Sequence, residues 1–396
     1  MSFTGFGLPT ELEMLRDGIR RFVQHEIVPV ANSMPADAPH IERAEVEKLQ
    51  AKAKVAGYWL LPMPAEFGGQ DLSAYWMAVV TEEMAKHKFG IHGYRGPGPF
   101  GPDVPASLLS GSSHIRDNYG ISALEKGHTY FSAITEPSGG SDPARAIRTT
   151  AVRKGDKYVI NGRKLWATNA DTAEFGIVYA RTDKAAGRKG ISAFVVDGGS
   201  PGMSVTPVPV IRDHYSTEIV FDNCEIPAEN RIGEEGDGFG TAQKWLIAGR
   251  LYIAATCIGV AEEALRMTIE WVKQRETFGA LLAERQAIQF GIADAAVEIR
   301  SARWLLWEAA WKADENKDAR YEASIAKLYA TEMAFRVIDM AMQFHGGMGM
   351  ARDLPLERWF RGVRVWRVGE GPSEVHRFLI ARQLLGPAAT GKPDSR

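Results

Sequence analysis

Cysteine is scarce in this chain: Cys224 and Cys257 are the only two among 396 residues. Two thiols exclude a disulfide framework and fit a reducing compartment, so the cytoplasm is the expected location. Excess charge of either sign is missing too, with 47 Lys and Arg against 49 Asp and Glu. A net charge of −2, with no basic cluster along one face, argues against a nucleic-acid partner. None of the nine histidines forms a His-x-x-x-His pair and no Cys-x-x-Cys occurs, which leaves a metal site without support. The N-terminal stretch lacks a basic region followed by an apolar core, so it does not read as a secretion signal. No apolar run reads as long enough to cross a bilayer, and no membrane is expected.

What is present is an ordinary globular composition, 45% hydrophobic and 24% charged, in a length that suggests two or three domains. Helical periodicity runs over 10–31, where Leu12, Leu15, Ile19, Phe22 and Val23 share a face and Thr10 can cap the start. It returns over about 42–56, 72–88 and 104–119. From 128 the period changes to two, with short strands near 149–153, 157–160, 176–180, 192–196 and 218–221. Lys154-Gly155-Asp156 and Asn161-Gly162 read as two hairpin turns. After Gly233–Gly238, long amphipathic stretches cover 238–274, 283–314 and 320–345, and a shorter one 373–385. The expected fold is therefore α+β in three parts: an N-terminal α-helical domain (1–127), a β domain of small orthogonal, barrel-like sheets (128–235), and a C-terminal antiparallel four-helix bundle (236–396).

Gly96-Pro97-Gly98-Pro99-Phe100-Gly101 satisfies the letters of the dinucleotide fingerprint. No strand precedes it and two prolines remove amides that such a turn needs, so it reads as a stiff loop. Phe131-Ser-Ala-Ile-Thr135-Glu-Pro137-Ser-Gly-Gly-Ser141-Asp is more informative. A strand runs into a loop of small residues whose free amides, with the hydroxyls of Thr135 and Ser141, make a concavity for an electron-rich ring. His345 closes a helix at a glycine-rich turn, which fits a helix stop as well as a ligand contact.

The Thr-Glu-Pro loop with its Gly-Ser-Asp end, the following Asn161-Gly162-x-Lys-x-Trp166-x-Thr168-Asn169, Arg275-Glu-Thr-Phe278-Gly279 with Gln286, Gln343-Phe-His-Gly346-Gly347, and Gly369-Glu370-Gly371-Pro372-Ser373-Glu374 together resemble the acyl-CoA dehydrogenase family, in the family's order, from about residue 10 to 386. The resemblance implies FAD as cofactor and an acyl-CoA as substrate, with electrons passed to an electron-transferring flavoprotein. It also implies a homotetramer built as a dimer of dimers, with FAD lying across a dimer interface. Cofactor contacts then fall on Ile134, Thr135, Ser141, Trp166, Thr168, Arg275, Phe278, Gln286, Gln343, Gly346, Gly347, Pro372, Ser373 and Glu374. Substrate contacts fall on Ser141, Arg250, Gly369 and Gly371, and Glu370 is the matched base that takes the α-proton while flavin N5 takes the β-hydride.

Three positions depart from common members. Pro372 stands where a Thr is frequent and Glu374 where Gln is frequent. Gly369 stands where members selective for straight chains tend to carry Tyr, which suggests room for wide acyl groups. Some members carry their base just before the bundle arginine; here that position is Gly249. An oxidase or monooxygenase on the same fold, or a silent acyl-CoA-binding paralogue, are the competing readings.

Overall fold

Thr10–Phe22 forms α1, whose Leu12, Ile19 and Phe22 are buried as the spacing requires. Pro9 precedes it and Thr10 is its first helical residue, so the expected threonine cap is not made; a proline fixes φ at the helix entrance instead. In the computed structural model, residues 7–91, 93, 94, 96–213 and 216–390 are described. They pack as two units, one drawn from Met1–Ile41, Leu72–Gly93 and Ile247–Arg396, the other from Glu42–Asp71 and Tyr94–Leu246.

In the first unit the long helices are α4 (Gly238–Val272, which starts in the other unit), α5 (Gln286–Asp314) and α6 (Arg320–His345), preceded by α2 (Arg43–Val55, of the other unit) and α3 (Ala74–Met84). They are followed by α7 (Leu356–Trp366) and α8 (Ser373–Leu385). Alanines at 254, 255, 261, 264, 302, 309, 310, 323, 326, 330 and 334 are all buried, letting the bundle helices approach closely around Ile253, Ile258, Met333 and Ile338. Helix α4 corrects one expectation. It is long and apolar enough to cross a membrane by length and composition. Its middle, from Leu251 to Leu265, is instead buried against the other bundle helices.

In the second unit eight strands form one sheet, in the order β6-β7-β3-β2-β4-β5-β8 with β1 beside β4. Their ranges are β1 Tyr130–Ala133, β2 Thr150–Lys154, β3 Lys157–Thr168, β4 Phe175–Arg181, β5 Ile191–Asp197, β6 Met203–Val208, β7 Ser216–Pro227 and β8 Arg231–Ile232. Only Thr150↔Arg181 joins β2 to β4, so the sheet is nearly two halves, and it does not close into a barrel among the described residues. Phe175 to Ala180 are buried without alternation. One face packs Phe175, Ile177 and Tyr179 on Leu108 and Ile115, and the other packs Val178 and Ala180 with Phe131 and Phe194.

The Lys154-Gly155-Asp156 turn joins β2 to β3 as expected. Asn161-Gly162 is no turn. It lies inside the twelve-residue β3, at a register shift against β7. Gly162 has φ +148°, and a Cβ there would stand 2.4 Å from Thr149 Oγ1, so glycine serves a bulge and a close approach rather than a hairpin. The Gly96–Gly101 loop is likewise structural: Gln50 Nε2 donates to the carbonyls of Pro97 (3.2 Å) and Gly98 (3.1 Å).

Candidate active site

The loop after β1 is held from below by a buried ion pair. Lys164, on β3 with no solvent exposure, donates to Glu136 Oε1 at 2.8 Å and to the Ile134 carbonyl at 3.1 Å. Glu136 also accepts from the amides of Arg148 (2.7 Å) and Thr149 (2.9 Å). Burial pushes the Glu136 carboxyl up, but the Lys164 charge and these donors outweigh it and hold it below the usual carboxylate range. The Leu165 amide donates to the Thr135 carbonyl at 2.9 Å, fixing the loop to β3. A Cβ on Gly140 would lie 2.8 Å from Thr135 Cγ2 and 3.0 Å from its Oγ1, so the turn closes only around glycine. Glu136 and Lys164 stand in two separate sequence motifs, and nothing local in either one signals their pairing across 28 residues.

Trp166 sits at a second irregularity of β3, between Leu165 and Ala167, with φ +66° and half of its surface exposed. A bulky aromatic in left-handed backbone is strained, and such strain gathers where a side chain must be aimed. Two residues on, Thr168 Oγ1 accepts from Arg212 at 3.0 Å. Ser141 is exposed and Ile134 half-buried on the same loop.

The helical unit holds the other predicted residues. Between α4 and α5, Glu276–Thr277 pairs with Ala280–Leu281, and the two-residue turn is Phe278-Gly279. Both have positive φ (50° and 75°), the geometry of a type I′ hairpin, and Phe278 is fully exposed at its tip. Arg275, Gln286, Gln343, Gly346 and Gly347 are all exposed. His345 is buried: its Nδ1 lies 2.7 Å from the Ala341 carbonyl and its ring stacks on Trp271. It fastens the end of α6.

Glu370 lies between α7 and α8 with φ +53°, followed by Gly371 at +100°. Its residue surface is only partly covered, yet Oε2 has neither solvent access nor a hydrogen-bond partner. Burial pushes its carboxyl from the ordinary 4.5 up to about 7, against the lowering pull of Lys327 and Arg250. Lys327 of α6, fully buried, donates to the Gly371 carbonyl at 2.7 Å and so pins the strained turn. Arg250 on α4 is buried, with one nitrogen 3.5 Å from Ser324 Oγ and its Nε unpartnered. His376 is buried, and burial pushes it down to about 3 against the raising pull of the Gly371 and Glu370 backbone, so it stays neutral. The Glu370 carboxyl lies against Gly249 of α4: a Cβ there would lie 2.1 Å from Oε2. Ser373 is committed elsewhere, donating to Glu332 Oε1 at 2.6 Å, while Pro372 is the N-cap residue of α8 and Glu374 is exposed in its first turn. At Gly369 an added Cβ would meet Trp366 Cε3 at 3.4 Å and the Val365 carbonyl at 3.6 Å, ordinary contact distances.

A desolvated, unpartnered carboxyl beside buried cations, on a helical bundle joined in sequence to a β sheet, makes an α+β protein with a candidate proton-transfer site. Three family models match: acyl-CoA dehydrogenase N-terminal domain over 9–96, middle domain over 132–224 and C-terminal domain over 236–385. The chain is 36% identical to (R)-benzylsuccinyl-CoA dehydrogenase of Thauera aromatica, covering 98% of both chains. It is 35% identical to the short-chain specific acyl-CoA dehydrogenase of Clostridium acetobutylicum, covering 96% of this chain and 99% of that one. A solved structure of a putative acyl-CoA dehydrogenase from Mycobacterium abscessus superposes with a TM-score of 0.87 at 31% identity, covering 97% of this chain and 100% of the other. The chain belongs to the acyl-CoA dehydrogenase family and is an oxidoreductase.

Proposed function

We propose that the protein is a cytoplasmic, homotetrameric FAD-dependent acyl-CoA dehydrogenase that oxidises an acyl-CoA to its trans-2-enoyl-CoA and passes electrons to an electron-transferring flavoprotein. The observation that carries the reading is Glu370: its Oε2 is buried without a partner, and its carboxyl is tuned to about 7. A base tuned near the working pH takes a weakly acidic α-proton with the best compromise between ionisation and driving force. Arg250 and Lys327 offset the charge it carries when ionised. The residues present fit FAD: the glycine-closed turn at Thr135, the half-exposed Trp166 and the exposed Arg275, whose planar fork suits a pyrophosphate. FAD, when bound, supplies the hydride acceptor. Exposure of Phe278, Gln343, Met348 and Met350 in the single chain supports an assembly in which these residues reach a neighbouring subunit. The family-model ends at 96, 132, 224 and 236 support the three-part division at 127/128 and 235/236.

The deciding experiment is anaerobic bleaching of the flavin by a panel of acyl-CoAs, with turnover followed once with a dye acceptor and once at an oxygen electrode. Bleaching with dye-dependent and oxygen-independent turnover is expected. Rapid oxygen consumption points instead to an oxidase, and a yellow protein that no thioester bleaches points to a silent paralogue.

Two substitutions probe the pocket. Gly249→Ala adds a carbon 2.1 Å from Glu370 Oε2, and the flexible end of Glu370 yields rather than the backbone. The fold survives and flavin reduction falls by about 100-fold, the usual cost of an ångström-scale misplacement. Unchanged reduction would remove Glu370 from the chemistry. Gly369 carries no side chain next to the proposed base, and the name of one relative places a benzyl branch on its acyl group. Branched or ring-bearing acyl-CoAs are therefore expected to reduce the flavin faster than straight chains, by about 10- to 200-fold. Gly369→Tyr, whose Cβ meets Trp366 at ordinary contact distance, should reverse that order. Wild-type preference for butyryl- or octanoyl-CoA would overturn the pocket argument.

A further inference from the structure

Arg212 lies between β6 and β7 and retains only 7% of its surface. No carboxylate among the described residues lies within ion-pair distance of it. Its partners among the described residues are two hydroxyls, Thr168 Oγ1 at 3.0 Å and Ser216 Oγ at 3.4 Å, and its Nε has none. Burial lowers its affinity for the proton to a pKa of about 10, which still leaves it charged. A buried cation without a counter-ion is costly, and chains keep one where a ligand completes it. The bond to Thr168 has a second consequence. Arginine only donates, so it occupies a lone pair of Oγ1 and leaves the threonine O–H to donate elsewhere. No protein acceptor takes that hydrogen among the described residues.

We propose that Arg212 is a flavin-tuning residue: it fixes Thr168 as a hydrogen-bond donor for the bound isoalloxazine, and its unpaired charge favours the reduced cofactor. The proposal rests on the FAD reading above. Charge near the flavin ring is one of the few levers by which a protein sets its potential, because two-electron reduction leaves the ring system with more negative charge to stabilise.

The test uses holoenzyme of wild type, Arg212→Gln and Arg212→Lys, with the midpoint potential of bound FAD measured by dye equilibration. Gln keeps a planar donor for Thr168 and removes the charge; Lys keeps the charge. Arg212→Gln is expected to weaken the preference for reduced over oxidised FAD about tenfold, lowering the midpoint by about 30 mV. Arg212→Lys should stay close to wild type. Thermal unfolding of the apo forms supplies a second readout: apo Arg212→Gln should be no less stable than apo wild type, since it loses an unpaired buried charge. An unchanged midpoint in flavin-loaded Arg212→Gln overturns the proposal. If Arg212→Gln fails to hold FAD, retention by Arg212→Lys supports the charge, and loss from both assigns Arg212 to loop structure alone. A wild-type protein that binds no FAD sinks the functional reading itself, a result distinct from any of these.

Discussion

Replacing Glu370 by Gln is expected to leave FAD bound and acyl-CoA binding intact while slowing flavin reduction by roughly 10²- to 10⁴-fold, the range that a positioned general base contributes. Gln preserves the contact with Gly249 and the left-handed turn, so the loss reads the carboxylate and little else. In wild type the reduction rate should rise with pH through about 7, where the carboxyl ionises, and level off above. The same carboxyl leaves a trace that needs no turnover. Its folded pKa is raised from 4.5 to about 7, so the stability it contributes when protonated is fully present below pH 4.5 and is lost as pH rises through 7. Glu370→Gln carries no such loss. Its apo form should gain thermal stability relative to wild type between pH 5 and pH 8. Near-normal single-turnover reduction in the variant, or a stability difference that ignores pH, would contradict the assignment of Glu370 as the tuned base.

Lys164→Met should cost about 3–5 kcal/mol of stability in the β unit, the price of leaving a buried carboxylate without its partner. Both side chains are almost wholly enclosed, Lys164 at 0% and Glu136 at 5% exposure, so solvent cannot replace the lost charge. The loss reaches function through backbone, because Lys164 also holds the Ile134 carbonyl one residue before Thr135. FAD should be released or bound far more weakly than in wild type. Adding Glu136→Gln to the variant removes the orphaned charge, and the double variant should regain much of the stability without all of the FAD affinity. If Lys164→Met unfolds within about 1 kcal/mol of wild type in urea titration, the pair is not what secures the loop.

The fold was largely readable because its elements announce themselves locally. The bundle helices came from long apolar periodicity, and β2, β4 and β5 from β-branched runs between turn residues. What failed was glycine. At Gly155 it marks a real hairpin, and at Gly162 a bulge with Thr149 close by, and the Asn-Gly pair does not reveal the second without the neighbouring strand. Helix α7 escaped notice although Leu356, Trp359, Val363 and Trp366 recur at helical spacing, because arginines and Gly362 interrupt it. Of the candidate site residues, motif spacing proposes Glu370 in the helical unit and Trp166 and Thr168 in the β unit. It does not propose Lys327 or Arg212: each meets its partner, Gly371 or Thr168, across 44 residues of chain, and neither carries a local signature.

The contact between Gly249 and Glu370 also bears on how such proteins diverge. The resemblance implies two places for the base, one on the bundle helix and one after α7; here glycine stands at the first, and a Cβ there would displace the Glu370 carboxyl at the second. The positions are mutually exclusive occupants of one volume. If Glu370 is the base proposed above, moving it from one place to the other has no easy single step: a carboxylate at 249 presses on the Glu370 carboxyl, and losing Glu370 first removes the proposed base. Substitutions at the two sites are thus expected to be strongly epistatic, and descendants of this chain should inherit the glycine as faithfully as the glutamate.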